Sequence, residues 1–467
     1  MTAPKRPNAR YTPLAADGPM PWDMVRAVPA IRRDVLGFLE TVVGRHGDLV
    51  AFPMPGRPVL LVNDPAGVRR VLQDNHRGYV KQTVQYSCLA LVTGSGLLTC
   101  DGEIWREHRQ VVQPAFHHSR MEGFAREAVA GADILRRAWD DVGTGMAVDA
   151  DAACNRAMLD VVGRTLFATD LSGGGEQVVY AVDVALRAVI GAAQLPLPAW
   201  FPTPGRRRLA PALRTLDRLS ARIVAERRAA GLAADDADLL ALLLRAGTDS
   251  PTGARHALSE REIRDEIVTM VIAGHETVAS CLTWALHLLA TNPAVQARLH
   301  GELDAVLGGR APGWDDLAAL QYTRAVVEEA LRLFPPAWVI TRRAVRDDEL
   351  CGIELPPGTL VILSPWLLHR RPASWEEPAA FRPERFLSQG QGQSQSRAAG
   401  RGDYLPFGAG PRLCIGRDVA LVEATLVLAA LLRDRAVAAP PGSRPPRVDA
   451  LVTLRPRGGL PLLLRRR

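Results

Sequence analysis

Six cysteines occur in the chain, and only Cys414 lies in a segment suited to wrapping backbone closely around a sulfur. The run LPFGAGPRLCIG, Leu405 to Gly416, holds three glycines, two prolines and one arginine around that thiol. Gly408 and Gly410 open backbone conformations closed to other residues, and Pro411 stiffens the turn. Such a loop aims successive N–H groups at one atom, here the sulfur of Cys414. Hydrogen bonds of that kind favour a thiolate and tune its strength as a donor. Helical patterning resumes behind it in CIGRDVALVEATLVLAALL, so a helix N-terminus adds positive potential at the sulfur. Arg412 is placed for a neighbouring anion. A cysteine in a glycine-rich turn is most often merely buried. Here Phe407, Gly410, Arg412, Cys414 and Gly416 stand together at fixed spacing, which favours a ligating thiolate.

Other constellations carry chemistry of their own. EEALRLFPP places Glu329 and Arg332 three apart, on one face of a helix; the plain alternative is a surface ion pair of little worth. IVTMVIAGHETVAS, Ile267 to Ser280, puts a glycine, an acid and a threonine inside a long apolar helix. Thr277 can bond back to the preceding turn, but a buried carboxylate at Glu276 is expensive without a task. IWREHRQVVQPAF sets Trp105 and Arg109 four apart, again on one helical face. Each arginine taken alone is an ordinary solvated side chain.

Together these motifs resemble the cytochrome P450 family, and the resemblance runs from the first hairpin to the tail. It implies haem b as cofactor, with the Cys414 thiolate on the iron, a ligand that favours O–O cleavage. Phe407, Gly408, Arg412 and Gly416 would frame the cofactor. Glu329 and Arg332 would form a buried pair joined by Arg385 of FRPERF. Glu276 and Thr277 would deliver protons for oxygen activation, Ala273 and Gly274 would leave room for oxygen and substrate, and His275 would be structural. Trp105, Arg109 and Arg342 would contact the haem propionates, with His108 and Arg412 as further candidates. Arg343 beside Arg342 leaves the register of that arginine open. The substrate pocket would draw on the loop after Tyr79, the Pro196 to Arg208 region, Ala273, Thr277, Trp338, Val339, Ile340 and the Leu451 to Thr453 stretch with Val452. These are mostly apolar and suit a lipophilic small molecule. One departure is Val419, where the family more often carries a bulkier residue.

The implied function is a monooxygenase that uses O2 to hydroxylate or epoxidise its substrate. The alanine-, arginine- and glycine-rich composition suggests bacterial specialised metabolism. Electrons would come from a ferredoxin- or flavodoxin-type donor with its reductase. A haem-thiolate isomerase or dehydratase and a non-catalytic haem sensor are the alternatives. The Glu276–Thr277 pair argues for the oxygenase.

The elements that must hold these residues follow from pattern. Helix formers dominate the 467 residues and aromatics make up 5%, which favours a mainly α fold with a smaller β-rich edge. We expect one large domain over residues 1–467, a proline-rich lead-in over 1–30 and a flexible low-complexity loop over 388–402. LVAFPM and PVLLV read as a hairpin, and NDPAGVRRVLQDN as a helix capped by Asp64. Tyr79 to Gly102 reads as an irregular, glycine-spaced loop. No paired cysteine spacing suggests a disulfide framework or a zinc site. The first residues lack a signal-peptide apolar region, and no run looks long enough to span a bilayer. These features lead to the expectation of a cytoplasmic protein without a membrane anchor. The net charge of +7 suits an acidic protein partner and, with no basic stripe among aromatics, argues against nucleic acid.

Overall fold

Short, continuous apolar runs in LVAF and VLLV produce an antiparallel hairpin, β1 (Leu49–Phe52) and β2 (Val59–Val62). It follows two helices, α1 (Pro21–Arg33) and α2 (Val35–His46). The structure is a computed structural model that describes residues 14–54, 57–143, 145–171, 173–194, 203–233, 236–248, 257–387 and 402–467. The lead-in before residue 14, most of the Pro196 to Arg208 region and the low-complexity segment 388–401 lie outside the described residues. The contacts group the chain into two compact units.

The first unit takes residues 1–83, 339–378 and 398–412. Its sheet adds β3 (Tyr79–Val80), β4 (Ile340–Ala344) and β5 (Leu360–Leu363) in the order β1-β2-β5-β4-β3. Only β2 and β5 run parallel. Leu60, Val62, Ile340, Val361 and Leu363 build its core, and Leu405 and Ala409 join it from the start of the cysteine loop. After β2, the Asp64 carboxylate accepts the Gly67 N–H at 2.9 Å, with Pro65 at the first helical position. That helix reads in the sequence as continuous to Asn75. It ends at Arg69 and widens over Arg70–Asp74, where Arg70 and Asn75 reach the same Asp348 carboxylate at 2.6 and 2.9 Å.

The second unit, residues 84–338, 379–397 and 413–467, is helical with small sheets. Its principal helices are α3 (Val84–Thr93), α4 (Gly102–Val112), α5 (Met121–Asp140), α6 (Ala150–Phe167), α7 (Gly175–Gln194), α8 (Pro204–Ala230), α9 (Glu260–Thr291), α10 (Gln321–Leu333) and α11 (Arg417–Leu432). Its strands include β6 (Arg435–Ala438), β7 (Val448–Ala450), β8 (Leu454–Pro456) and β9 (Pro461–Arg466). β7 and β8 form a hairpin and β9 pairs with β6. The mainly α class with a smaller β component is the one expected.

α3 corrects the expected loop after Tyr79. Its valines, tyrosine and cysteine are weak helix formers, yet Tyr86, Cys88, Leu89 and Val92 are buried. Packing overrides propensity there, and Gly94, at φ +56°, marks the end of a helix rather than the middle of a loop. α9 starts at a capping box in which Ser259 Oγ accepts the Glu262 N–H and Glu262 Oε2 accepts the Ser259 N–H. It packs chiefly on α6. Among the described residues it alone is long and apolar enough to cross a membrane, which the sequence reading did not anticipate. Of its most apolar window, 83% is buried inside the protein, as befits a core helix.

Candidate active site

In the first unit the cysteine loop is shaped by its glycines. Gly408 and Gly410 both sit at φ +70°, and Gly408 N–H closes a turn onto Leu405 O at 3.1 Å. A Cβ on Gly410 would lie 1.9 Å from Leu72 O, so no other residue fits. A short 3-10 turn, Gly410–Arg412, carries Arg412. Phe407 is half-buried, and the Cβ position of Gly408 is 4.0 Å from Ile340 Cδ1. Arg342 is buried in β4 with Nη1 donating to Thr341 O at 2.9 Å.

In the second unit the loop reaches its thiol. Gly416 caps α11, and its N–H donates to the Cys414 sulfur. Arg109 of α4 donates to Leu413 O at 3.1 Å, tying the tryptophan–arginine helix to the cysteine segment. Burial pushes the Cys414 thiol up. The Gly416 amide and the Arg109 and Arg417 charges pull it down, toward the thiolate a metal needs. Cys414 is an exposed residue, although protein surrounds its thiol closely enough to desolvate it. Four other cysteines are buried, and Cys351 donates its S–H to Asp64. Among the described residues no three His, Cys, Asp or Glu side chains gather to hold a bare metal ion. A lone thiol with an amide and guanidinium groups around it fits an iron whose other ligands arrive with a porphyrin.

The middle of α9 is incompletely buried in one place only. From Asp265 to Leu286 every residue is buried except Ala273, Gly274 and Thr277, which share one face. Thr277 Oγ1 donates to Ala273 O at 2.8 Å. Gly274 has a packing reason as well, since a Cβ there would lie 2.8 Å from Val162 Cγ2 on α6. Glu276 is 1% exposed; its Oε1 accepts from Thr453 Oγ1 at 2.8 Å and lies 3.9 Å from Arg455 Nη1. Burial raises its carboxyl to about 7 against the opposing pull of Arg455 and Thr453. His275 is buried, bonded to Val271 O at 2.6 Å, and burial holds it down at about 4.

Glu329 and Arg332 of α10 are 0% exposed and joined by two bonds of 2.7 Å. Arg385 Nε adds a bond to the same carboxylate at 3.3 Å, and the Arg382 N–H another at 2.9 Å. Trp105 packs against the main apolar cluster of this unit. His108 differs from its expected role: its Nδ1 lies 2.6 Å from Glu266 Oε1 and its Nε2 3.7 Å from Glu262. Burial, the largest single influence, lowers the imidazole, but the two carboxylates together outweigh it and raise it, and the ring links α4 to α9 rather than standing free for a propionate. Trp338 is buried with its indole N–H on Leu451 O at 2.8 Å, and Val452 packs against the main cluster, which also includes Val419. Val339 is half-buried and Ile340 opens β4. The sequence reading placed Thr453 only in the pocket stretch and missed its bond to Glu276, and it missed Arg455, which lies in the short tail strand β8 that carries no motif. It also missed the buried Lys81, one residue beyond the Val80–Arg343 pair of β3 and β4.

The family model for cytochrome P450 matches residues 17–462. The chain belongs to the cytochrome P450 family. Similar proteins include cyclooctat-9-en-7-ol 5-monooxygenase from Streptomyces melanosporofaciens, 34% identical over 92% of this chain and 89% of that protein. Pentalenene oxygenase from Streptomyces avermitilis is 33% identical over 93% of each. The crystal structure of CYP175A1 from Thermus thermophilus superposes with a TM-score of 0.73 at 31% identity, covering 95% of this chain and 97% of that one. The activity is therefore that of a P450 monooxygenase, and the cofactor is haem b bound through a cysteine thiolate.

Proposed function

We propose that the chain, acting as one catalytic domain, inserts oxygen by hydroxylation or epoxidation into a lipophilic, terpene-like hydrocarbon or alcohol of bacterial specialised metabolism. One oxygen atom enters the substrate and the other leaves as water. The observation that carries the reading is the stripe of Ala273, Gly274 and Thr277, the single incompletely buried part of α9 between Asp265 and Leu286. The relatives named for cyclooctat-9-en-7-ol and pentalenene support the substrate class. Haem b supplies oxygen activation when bound, and its thiolate ligand is Cys414. Trp105, Arg109, Arg342 and Arg412 hold the propionates, and Phe407, Gly408 and Gly416 shape the cradle. Glu276 and Thr277 handle protons. Ala273, Trp338, Val339, Ile340 and Val452 line the pocket, and their apolar surface accepts a hydrocarbon skeleton. Electrons come from a ferredoxin- or flavodoxin-type protein with its reductase; the net charge of +7 favours an acidic donor.

The test is a panel of terpene hydrocarbons and alcohols added to the purified haem protein. A ligand that shifts the haem spectrum toward high spin and is oxygenated with a surrogate redox pair is the expected result. Turnover confined to polar substrates would overturn the substrate class. Conversion of a bound ligand without oxygen consumption would replace the oxygenase with an isomerase or dehydratase.

A further inference from the structure

The tip of the β7–β8 hairpin is fastened to the helices around it. Leu451 O accepts the Trp338 indole N–H at 2.8 Å, and Leu454 O accepts from Ser280 Oγ at 2.7 Å and Trp284 Nε1 at 3.0 Å. Arg455 is held by Asp151 of α6 at 2.7 Å and by Asp183 of α7 at 3.3 Å. Between these anchors Thr453 donates its hydroxyl to Glu276 Oε1, while Glu276 Oε2 has no hydrogen-bond partner among the described residues.

Adjacent helical residues point about 100° apart. Thr277 faces the Ala273–Gly274 stripe with its hydroxyl on Ala273 O, and Glu276 faces the hairpin. Acid and alcohol are each bonded elsewhere. We propose that Thr453 is a positioning residue for proton delivery, holding the Glu276 carboxyl on the hairpin side of α9 and governing its access to the Thr277 face. The proposal rests on the reading of Glu276 as the proton-handling acid. Val452, next in the chain to Thr453, belongs to the proposed pocket, so a substrate pressing on Val452 bears on the residue that restrains the acid.

The charged groups around Glu276 are Arg455 from β8, Asp151 from α6, Asp183 from α7 and His275 on its own helix. Thr453 bonds the ionised carboxylate and so lowers its pKa. Thr453→Val keeps the shape of the side chain and removes the hydroxyl; Thr453→Ser keeps the hydroxyl. Infrared difference titration, with Glu276→Gln as the subtraction, follows the protonated Glu276 carbonyl directly in the haem protein. The expected result is a midpoint raised by about one pH unit in Thr453→Val and restored in Thr453→Ser. The pH profile of product formed per electron pair should move with it. An unchanged midpoint and profile in Thr453→Val would overturn the proposal; Thr453→Ala serves the same comparison if the valine variant does not fold. A shifted midpoint in a protein that oxygenates nothing would defeat the oxygenase reading while leaving Thr453 as the restraint on Glu276.

Discussion

The thiol of Cys414 has an amide from Gly416 and the charges of Arg109 and Arg417 around it, and no other described cysteine has such surroundings. Cys414→Ala is expected to abolish the red-shifted band of the reduced, carbon-monoxide-bound protein; a variant that keeps the band would remove Cys414 as the ligand. Thr277 poses a finer question, because its hydroxyl has a local partner in Ala273 O. If that bond were its whole purpose, Thr277→Ala would cost little stability and leave chemistry alone. Its place on the incompletely buried stripe argues for proton handling, which contributes about 10²–10⁴-fold in rate. Water can stand in for a missing hydroxyl, so the low end is expected. Product per reducing equivalent should fall and peroxide should rise in Thr277→Ala, with haem content intact. Equal coupling in both proteins would take Thr277 out of the mechanism.

At the scale of elements, charge placement and close approach make the sharpest demands. Glu329 and Arg332 share α10, but their environment is completed by Arg385 and the Arg382 amide from a distant segment. Truncating either member strands a charge with no exposure, at a cost of roughly 3–5 kcal/mol. Glu329→Ala and Arg332→Ala should therefore yield little folded haem protein, and normal haem content with an unchanged melting temperature would show the pair to be dispensable. Gly410 makes its demand through the backbone. Its φ of +70° and the Leu72 carbonyl 1.9 Å from a would-be Cβ leave no place for a methyl group. Gly410→Ala should lower the melting temperature and weaken haem retention, whereas Gly301→Ala, with open space around its Cβ, should do neither.

At the scale of the whole molecule, legibility in the sequence follows the distance over which residues act. The cysteine loop, the glutamate–arginine spacing and the Asp64 cap are local patterns, and each appears in the structure as a local feature. The bond between His108 and Glu266, and that between Thr453 and Glu276, join residues far apart in sequence and carry no spacing rule. α3 was missed because burial, not propensity, makes it helical. The same long-range burial governs how the folded protein responds to pH, through neighbours that titrate in opposite senses. His275 is held at about 4 against an ordinary 6.5, so the unfolded chain takes up its proton first as pH falls. Its contribution is complete above about 6.5 and is lost on the way down to about 4, a change of roughly 3 kcal/mol. Glu276 is raised to about 7 from 4.5, so the folded protein takes up that proton first. Its contribution is complete below 4.5 and is lost as pH rises through about 7, again by roughly 3 kcal/mol. Over the shared window the two slopes nearly cancel. Glu276→Gln exposes the histidine: relative to wild type, its melting temperature should fall as pH is lowered from about 7 to 4.5. His275→Gln exposes the acid and should gain on wild type from about 6.5 down to 4. Thermal melts of the three haem proteins across that range decide the matter, since curves that stay parallel would mean that neither group changes its proton affinity on folding.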